Sequence, residues 1–224
     1  MNGILYIVAT PIGNLKDITV RALETITEVD FVACEDTRVA SKLLSHYSIK
    51  KPLLSYHQHS QIVRVEKIIE HLKSDKSIAL ITDAGTPGIS DPGNKLVEEV
   101  LKNDITVVPI PGVSALTTLA SVSGIDMQKF VFLGFPPHKK GRETYFKKVA
   151  EMAKSGLPVI LYESPYRILK TLVSLKDFRV IVGRELTKYF EEVARGSAVE
   201  ALEYFEKNPG KVKGEFVIIV YSPC

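Results

Sequence analysis

Two carboxylates and three glycines are concentrated in one short segment, ITDAGTPGISDPG, over residues 81–93. An apolar run precedes it and an amphipathic run follows it, which predicts a strand, a loop and a helix in that order. In open α/β sheets such loops lie at the carboxyl ends of the strands, where ligands bind. Asp83 follows the predicted strand directly and can accept hydrogen bonds from a ligand hydroxyl or ammonium group, or from its own turn. Asp91, followed by Pro92, is typical of a helix N-cap and first turn.

Charged residues also follow two other predicted strands. The segment CEDTR places Glu35, Asp36 and Arg38 after the second strand, and GRELTK places Glu185 and Lys188 after a later one. Each set is either a plain surface ion pair or part of a ligand site, because both occur at the end of a strand where α/β proteins bind ligands.

The segment YHQHS places His57 and His59 two residues apart, which puts both on one face of a strand. A third ligand of suitable type is not evident nearby, so the pair does not favour a metal site. We therefore expect no metal and interpret the two histidines as solvated groups that contact an anionic substrate.

A basic segment, PPHKKGRETYFKK, contains Lys139, Lys140 and Arg142. Its simplest interpretation is a solvated loop and helix face. Such a cluster can also neutralise phosphates, in which case binding weakens as the salt concentration rises.

Nucleotide-binding motifs do not account for the first loop. The segment ATPIGNLKD follows the first predicted strand, where a dinucleotide fold carries G-x-G-x-x-G, but it contains only Gly13. Glu35 and Asp36 lie at about the right distance to bind a ribose hydroxyl, yet without the other two glycines the backbone cannot approach a pyrophosphate closely. The G-x-x-x-x-G-K-[ST] motif of nucleoside triphosphate sites is also missing from the sequence.

Composition narrows the class of protein. The 224 residues are 45% hydrophobic and 25% charged, with a net charge of +3, which is globular and permits a nucleic-acid partner without requiring one. With Cys34 and Cys224 as the only cysteines, a disulfide framework is not expected and the reduced cytoplasm is the expected location. The N-terminus is typical of a first strand and not of a signal peptide, and no run approaches the ~18 apolar residues of a membrane span.

The order of elements predicts an α/β protein with two domains. Short β-branched runs alternate with helical patterns up to Pro111, which favours a mostly parallel sheet in a domain of residues 1–111. Residues 112–224 form a second α/β domain with a mixed sheet, in which ELTKYFEEVARG fits a strand or a helix equally well. The predicted strands cover residues 5–9, 31–34, 53–56, 77–82, 105–109, 130–135, 159–162, 179–183 and 216–221. The predicted helices cover residues 17–28, 37–46, 60–73, 94–103, 142–155, 165–175 and 197–207, with Ser164 as the N-cap of the sixth.

Seven motifs in order resemble one family along nearly the whole chain: IVATPIGNLKDITVRALETI, CEDTR, SYHQH, TDAGTPGISDPG, PIPGVSAL, ESPYR and GRELTKYFEEVARG. The sequence resembles the 16S rRNA cytidine 2′-O-methyltransferases, the small-subunit methyltransferase I family, within the tetrapyrrole methylase superfamily.

The resemblance implies a two-domain, tetrapyrrole-methylase-like α/β fold (a class III methyltransferase). Such proteins are usually homodimers and bind S-adenosylmethionine in a cleft between the domains. The residues that it implies as cofactor contacts are Asp83, Gly85, Thr86, Pro87, Ser114, Ala115, Tyr162, Glu163 and Leu186.

The resemblance further implies methyl transfer to a cytidine ribose in the decoding region of 16S rRNA, within the small ribosomal subunit. We hypothesise that Glu35 or Glu185 removes the hydroxyl proton while Arg38 and Lys188 orient the hydroxyl or a phosphate, because both sets follow strands beside the expected cleft. The residues expected at the substrate are Pro11, Gly13, Asn14, His57, His59, Lys139, Lys140 and Arg142.

The sequence departs from the superfamily pattern in two places. Thr82 precedes Asp83 where the wider superfamily has glycine, which is usual for this subfamily. Members commonly continue past the last strand with a small helical extension, whereas this sequence ends at Cys224. Two other functions fit the same features: a methyltransferase acting on a tetrapyrrole or another small molecule, and a non-catalytic RNA-binding protein.

Overall fold

The computed structural model describes residues 2–56, 62–91 and 93–222. The chain divides into two compact units, Met1–Ser114 and Ala115–Cys224. None of the helices in these described ranges is long and apolar enough to cross a membrane.

The first unit is a parallel sheet with helices between its strands. Its five strands are hydrogen-bonded in the order β3-β2-β4-β1-β5, and every pair is parallel. The strands are β1 (Leu5–Val8), β2 (Phe31–Cys34), β3 (Leu53–Ser55), β4 (Ile78–Leu80) and β5 (Val107–Ile110). The helices are α1 (Val20–Glu28), α2 (Thr37–His46), α3 (Ile62–Lys73) and α4 (Asn94–Lys102), and a single 3₁₀ turn (Leu15–Asp17) precedes α1.

The helices of the first unit cover opposite faces of this sheet. One core cluster contains Ala22 and Ile26 of α1 and Leu44 of α2, and another contains Leu72 of α3 and Leu96 of α4. This division follows from right-handed crossovers, because α1 and α2 carry the chain towards β3 while α3 and α4 carry it back towards β5. The strand order therefore reverses around β4, and a sheet of this kind binds ligands beside the carboxyl ends at such a point.

The second unit contains a mixed sheet in the order β6-β7-β10-β8-β9. Only the β6–β7 pair among these is parallel. The strands are β6 (Val131–Phe132), β7 (Val159–Glu163), β8 (Arg179–Arg184), β9 (Glu192–Ser197) and β10 (Phe216–Tyr221). The helices are α5 (Ala115–Ser121), α6 (Arg142–Lys154), α7 (Ile168–Ser174) and α8 (Ala198–Lys207), followed by a 3₁₀ turn (Pro209–Lys211).

The register of β10 fixes which strand ends share an edge. Phe216 lies opposite Glu163 of β7 on one side and opposite Arg184 of β8 on the other. Because β7 and β8 are both antiparallel to β10, and β6 is parallel to β7, the carboxyl ends of all three strands point to the same edge. Helices α6, α7 and α8 pack on one face of the sheet, where Phe146, Leu172 and Phe205 contribute to the core.

Both predicted N-caps are wrong. Helix α4 begins at Asn94 with Gly93, and not Asp91, at the N-cap position. Helix α7 begins at Ile168 with Arg167 as its N-cap residue, three residues later than the Ser164 cap predicts. Ser164 instead donates its N–H to the Glu163 carboxylate at 2.8 Å, and its hydroxyl accepts from Arg167 Nε at 3.2 Å.

The segment of residues 185–196, which fits a helix or a strand equally well by sequence, divides into two parts. Residues 185–191 form a turn, and β9 begins at Glu192. All six residues of β9 pair with β8, from Glu192 opposite Arg184 to Ser197 opposite Arg179. Pairing with β8 therefore makes residues 192–196 a strand, although their local sequence fits a helix equally well.

Candidate functional site

The loops after β1 and β4 are joined by an isolated antiparallel bridge. Thr10 donates its N–H to the Gly85 carbonyl at 2.9 Å, and Gly85 donates its N–H to the Thr10 carbonyl at 3.0 Å. The bridge holds the backbone of residues 83–87 beside the carboxyl end of the sheet.

Two threonine hydroxyls fix the same loop further. The buried Thr10 side chain donates to the Thr82 carbonyl at 3.0 Å, and the Thr86 hydroxyl donates to the Val113 carbonyl at 3.1 Å. Thr86 is predicted to contact the cofactor, but in the structure its hydroxyl forms a hydrogen bond between the loop after β4 and the loop after β5. Thr10 was not among the residues predicted for the site, although its position directly after an apolar strand was a usable signal.

Two glycines allow these loops to lie close together. Gly85 has φ +81°, a left-handed conformation that L side chains rarely adopt, and a Cβ there would lie 3.4 Å from Ile12 Cγ2. A Cβ on Gly112 would lie 2.9 Å from the Ala9 Cβ, which is too close for a real pair of carbon atoms. Gly85 is buried, and its N–H and C=O groups both bond to Thr10, so the structure shows a role in loop packing, and its contact with the cofactor stays a prediction.

Asp83 is linked to the segment that follows β2. Its exposed carboxylate accepts a hydrogen bond from the Asp36 N–H at 3.2 Å through Oδ1. Asp36 in turn is the N-cap of α2 and accepts the Arg38 N–H at 2.8 Å. The structure thus brings together two of the sequence motifs, TDAG and CEDTR.

Arg38 and Asp36 form a surface ion pair. The Arg38 guanidinium donates to both Asp36 oxygens, with the shortest contact 2.6 Å from Nη2 to Oδ2, while the Arg38 side chain is 87% exposed. The hydrogen bond from the Arg38 guanidinium holds the pKa of the Asp36 carboxyl well below its usual range. Asp36 is therefore anionic at any working pH, and Arg38 presents its charge to solvent.

Carboxylates make this edge of the first sheet anionic. Glu35 is half-buried between Cys34 and Asp36, at the end of β2. Burial of Cys34, together with the charges of Asp83 and Asp36, raises the pKa of its thiol to about 11. The thiol therefore stays protonated and is a poor nucleophile, whereas the carboxylates favour a cationic ligand.

The other predicted residues of the first unit differ in accessibility. Pro11 and Pro87 are buried, while Gly13 and Asn14 are exposed. The Asn14 side chain accepts the Lys16 N–H at 3.1 Å and caps the 3₁₀ turn. Pro11 therefore supports the loop from beneath, and the exposed Gly13–Asn14 tip is the part that a substrate can touch.

The remaining predictions in this part of the chain concern four residues. Ser114 follows β5 and is half-buried, and Ala115, also half-buried, is the first residue of α5. His57 and His59 lie outside the described residues. Within the described ranges, no three or more His, Cys, Asp or Glu side chains are placed to hold a metal ion.

In the second unit Glu163 is the centre of a buried ion network. Its carboxylate, 0% exposed, lies 2.9 Å from Arg167 Nη2 and 3.6 Å from Arg142 Nη2. It also accepts the Ser164 N–H at 2.8 Å and the Thr171 hydroxyl. Glu163 is predicted to contact the cofactor, but its buried carboxylate bonds to groups of the second unit.

Arg142 belongs to this network and not to a free basic surface. Its side chain is 18% exposed, and it donates to the Thr171 hydroxyl at 2.8 Å and to the Pro137 carbonyl at 3.3 Å. The prediction that Arg142 contacts RNA therefore lacks the exposure that phosphate binding needs. Lys139 and Lys140, in the loop before α6, are exposed.

Glu185 and Lys188 form a second cluster at the same edge. Lys188 Nζ lies 2.8 Å from Glu185 Oε1 and 2.9 Å from Glu215 Oε2, and the Glu215 N–H donates to Glu185 Oε1 at 3.0 Å. Burial raises the pKa of the Glu185 carboxyl, but the hydrogen bonds from Lys188 and the Glu215 N–H outweigh it, so the pKa is lowered. A carboxylate stabilised in this way is a weak proton acceptor.

Leu186 and Tyr162 are placed by packing. Leu186 is buried, and a Cβ on Gly183 would lie 3.1 Å from its Cδ2, so the two pack closely. Tyr162 is half-buried, with its ring centroid 4.9 Å from that of Phe132 and 5.4 Å from that of Phe135. Both residues lie at the edge of the second sheet that also carries Glu163 and Glu185.

Comparison with known proteins places these features in a family. The model of the Tetrapyrrole (Corrin/Porphyrin) Methylases matches residues 4–202. The chain is 45% identical to a ribosomal RNA small subunit methyltransferase I of Synechocystis sp., over 97% of this chain and 78% of that protein. It is 44% identical to the protein of the same name from Thermotoga maritima, over 97% of this chain and 98% of the relative.

Solved structures agree on the fold. A diphthine synthase superimposes with a TM-score of 0.79 at 16% identity, over 98% of this chain and 90% of that one. A cobalt precorrin-4 methyltransferase of cobalamin biosynthesis superimposes with a TM-score of 0.71 at 18% identity, over 97% and 94% of the two chains. The predicted fold class is confirmed, and the chain belongs to the tetrapyrrole (corrin/porphyrin) methylase family.

Proposed function

We propose that this chain transfers a methyl group from S-adenosylmethionine to the RNA of the small ribosomal subunit. Membership of the methylase family and the names of relatives at 43–45% identity support this activity. The observation that carries the proposal is the loop of residues 83–87, which is held at the reversal of strand order and begins with the exposed carboxylate of Asp83.

The residues at this edge fit the chemistry of the methyl donor. S-adenosylmethionine carries a sulfonium and an ammonium cation, which suit the carboxylates that follow β2 and β4. It also has ribose hydroxyls, which can donate to the exposed Asp83 carboxylate. The left-handed Gly85 allows the bridge to Thr10 that holds the loop carrying Asp83 in place. Methyl transfer from a sulfonium does not require a metal ion.

Different residues of the chain bind the methyl donor, hold the loop that carries its binding residue, and orient the acceptor. When bound, S-adenosylmethionine supplies an electrophilic methyl group. Asp83 binds the donor, Thr10 and Thr86 keep the loop that carries Asp83 in place, and Arg38 orients the ribose hydroxyl or its phosphate. Alignment of the reacting groups alone contributes up to ~7–11 kcal/mol in favourable cases.

Glu35 is the better candidate for the base. Both Glu35 and Glu185 follow strands, but the Glu185 carboxylate is occupied by Lys188 and the Glu215 N–H and has a lowered pKa. Glu35 lies next to Asp36, which is bonded to the proposed donor residue Asp83. In the proposed step the Glu35 carboxylate accepts the proton of the attacking hydroxyl, and a placed base of this kind contributes roughly 10²–10⁴-fold.

The finer features of the substrate follow from the family resemblance. We propose that the acceptor is the 2′-hydroxyl of a cytidine in the decoding region of 16S rRNA, that the protein acts as a homodimer on the small subunit, and that it does so in the cytoplasm, where ribosomal RNA is modified. The exposed lysines of the loop after β6, Lys139 and Lys140, support an RNA partner because they can neutralise phosphates.

One labelling experiment tests the proposal. The protein is incubated with methyl-labelled S-adenosylmethionine and, separately, free 16S rRNA, assembled small subunits or a porphyrinoid precursor. We expect label in an RNA sample, in a nucleoside that resists alkaline cleavage on its 3′ side because its 2′-oxygen is methylated. Label in the porphyrinoid alone would instead establish a small-molecule methyltransferase, and donor binding without transfer to any acceptor would contradict the proposal.

The base assignment has its own measurement. Single-turnover rates are compared for the wild type, Glu35→Gln and Glu185→Gln at saturating donor and RNA. We expect a loss of about 10²-fold or more for Glu35→Gln and a much smaller loss for Glu185→Gln. An unchanged rate for Glu35→Gln would remove Glu35 from the proton transfer.

A further inference from the structure

Large exposed aromatic side chains are concentrated at one edge of the second sheet. Among the residues that the structure describes, five aromatic side chains are strongly exposed, and four of them follow β6, β7 or β8. These four are Phe135, Tyr166, Tyr189 and Phe190, and we refer to them as the aromatic edge. Because β6, β7 and β8 run in the same direction, the loops that carry the four rings leave the sheet on one side.

The exposure of these rings is unusual in extent. Tyr166 is 93% exposed and Tyr189 is 94% exposed, more than any other large hydrophobic residue in the described ranges. Single apolar residues on a surface are ordinary, but several aromatic rings on adjoining loops are typical of an interaction site. The packing of the second unit gains almost nothing from the two tyrosine rings.

The turn that carries Tyr189 and Phe190 is held firmly by hydrogen bonds. The Phe190 carbonyl accepts from Nη1 of the buried Arg184 at 2.8 Å, and the Glu191 N–H donates to the Lys188 carbonyl at 3.1 Å. The two rings contact each other edge to face, with centroids 4.9 Å apart and planes at 90°. Because the turn is already ordered, a partner that stacks on the rings loses little additional conformational entropy.

The same turn contains two residues in an unfavourable backbone conformation. Glu185 has φ +49° and Thr187 has φ +68°, although neither is glycine. Residues other than glycine are strained in this region, and such residues are concentrated at functional sites. Here the local strain forms a turn that directs aromatic rings into solvent.

The loops after β6 and β8 differ in whether their lysines are paired with carboxylates. Lys139 and Lys140 are exposed in the loop after β6, so phosphates can bind there. In the turn after β8, Lys188 is paired with Glu185 and Glu215, which leaves that turn without a free cation for a phosphate. A nucleic acid can therefore contact the turn through its bases, while its backbone contacts the lysines.

We propose that the aromatic edge stacks on unpaired bases of the RNA substrate. Every base has a flat π-face, so stacking on tyrosine and phenylalanine recognises single-stranded or flipped-out nucleotides without reading their sequence. This inference rests on the proposed function, which supplies an RNA acceptor, and it adds that the target lies in an unpaired segment. A second copy of this chain is a less suitable occupant, because lysines are depleted from the centres of protein interfaces and here they flank the rings.

The test compares the binding of two labelled RNAs by fluorescence anisotropy. One is a hairpin with an unpaired, cytidine-containing loop, and the other is the same sequence annealed to its complement. The full-length protein is measured as wild type, Tyr166→Ala, Tyr189→Ala and Phe190→Ala. Tyr189→Phe keeps the ring as a conservative control, and Val173→Ala, at an exposed position on α7, is a control for surface truncation.

We expect each alanine variant of the aromatic edge to bind the unpaired RNA about 5- to 150-fold more weakly, the range measured when a stacked aromatic side chain is removed. Binding of the duplex should change little, and Tyr189→Phe and Val173→Ala should match the wild type. The slope of log K against log salt should stay the same in the alanine variants, because stacking releases no counterions.

Three outcomes would overturn the inference. Wild-type affinity for the unpaired RNA in all alanine variants would remove the rings from RNA recognition. A change of oligomeric state by analytical ultracentrifugation, with RNA affinity intact, would assign the edge to a second copy of the chain. Failure of the wild type to bind or methylate RNA would reject the proposed function together with the inference, whereas the first two outcomes would reject the inference alone.

Discussion

In the first unit, the loops after β1, β4 and β5 are joined mainly by main-chain atoms and small side chains. In the second unit, the loops after β6, β7 and β8 are joined by arginines and lysines that converge on glutamates. The bridge between Thr10 and Gly85 represents the first arrangement, and the network around Glu163 represents the second. The residues at each edge determine which of the two arrangements forms there.

The difference separates two kinds of recognition. Backbone groups and glycines leave room for a small ligand to lie directly on the chain, which suits a nucleoside-containing methyl donor. Buried ion networks occupy that room but hold long loops in place, so exposed lysines and aromatic rings can be presented to a larger partner. We therefore expect variants of the first unit to change donor affinity, and variants of the second to change stability or RNA binding.

The largest effect is expected from the buried carboxylate. Glu163→Ala leaves Arg142 and Arg167 without their shared anion, and breaking a buried pair in this way costs about 3–5 kcal/mol. Urea denaturation measures the change, with Glu143→Ala as the matched control, because the Glu143–Lys147 pair is exposed. That control should stay within about 1 kcal/mol of the wild type. Equal destabilisation by the two substitutions would show that the network does not stabilise the second unit.

Donor affinity should depend on Asp83. Hydrogen bonds to charged groups contribute about 1.5–3 kcal/mol and neutral ones about 0.5–1.5 kcal/mol, and Asn keeps the acceptor but not the charge, so Asp83→Asn should weaken S-adenosylmethionine binding by about 5- to 15-fold in titration calorimetry. Asp75→Asn is the control, since Asp75 is an exposed aspartate elsewhere in the first unit. Wild-type affinity in Asp83→Asn would leave this residue as a link to the Asp36 N–H and no more.

RNA binding should lose part of its salt dependence when the exposed lysines are neutralised. Each phosphate contact with single-stranded RNA contributes about 0.7 to the slope of log K against log salt, so Lys139→Gln with Lys140→Gln should lower the slope by about 1.4. Filter binding over a salt series measures it. The double variant Lys42→Gln with Lys73→Gln, at exposed positions on α2 and α3, should keep the wild-type slope. An unchanged slope in the first variant would move the RNA backbone away from this loop.

The smallest effect concerns pH. The pKa of Glu185 is lowered in the folded protein, so its contribution to stability is present above the unfolded value of 4.5 and is lost as the pH falls through the lower folded value. Glu185→Gln should therefore be less stable than the wild type near neutral pH, and the difference should narrow below about pH 4.5. Denaturation midpoints at several pH values measure this, and a constant difference across the range would contradict the assigned ion pair.

Regular elements were predictable because they depend on local pattern. Strand β2 and helix α2 have the predicted bounds, and β10 spans residues 216–221 as expected. Apolar periodicity and short connections determine such elements, so one sequence is sufficient. The family resemblance then directed attention to Asp83, which local residues alone left open between a ligand contact and a turn.

Long-range side-chain contacts were not predictable in the same way. The convergence of Arg142 and Arg167 on Glu163 joins the start of a helix, a turn and a strand end, and no spacing in the sequence predicts the contact between Arg142 and Glu163. The Ser164 hydroxyl, expected to cap a helix, instead accepts from Arg167 Nε of the same network at 3.2 Å. The exposure of individual side chains was equally unpredictable. The sequence around Tyr189 does not indicate whether its ring is buried, whereas the structure of the turn shows that the ring lies in solvent.

The position of β4 has a consequence for the order in which the first unit forms. β4 lies between β1 and β2, although the chain reaches it only after β3. The pairing of β4 with β1 and β2 therefore joins segments that are far apart in the sequence, and non-local pairing of this kind slows folding. The loop that begins at Asp83 follows that strand closely, so the proposed donor site depends on the pairing of β4 with both of its neighbours. Any ligand that binds there stabilises the closed sheet selectively over partly folded forms.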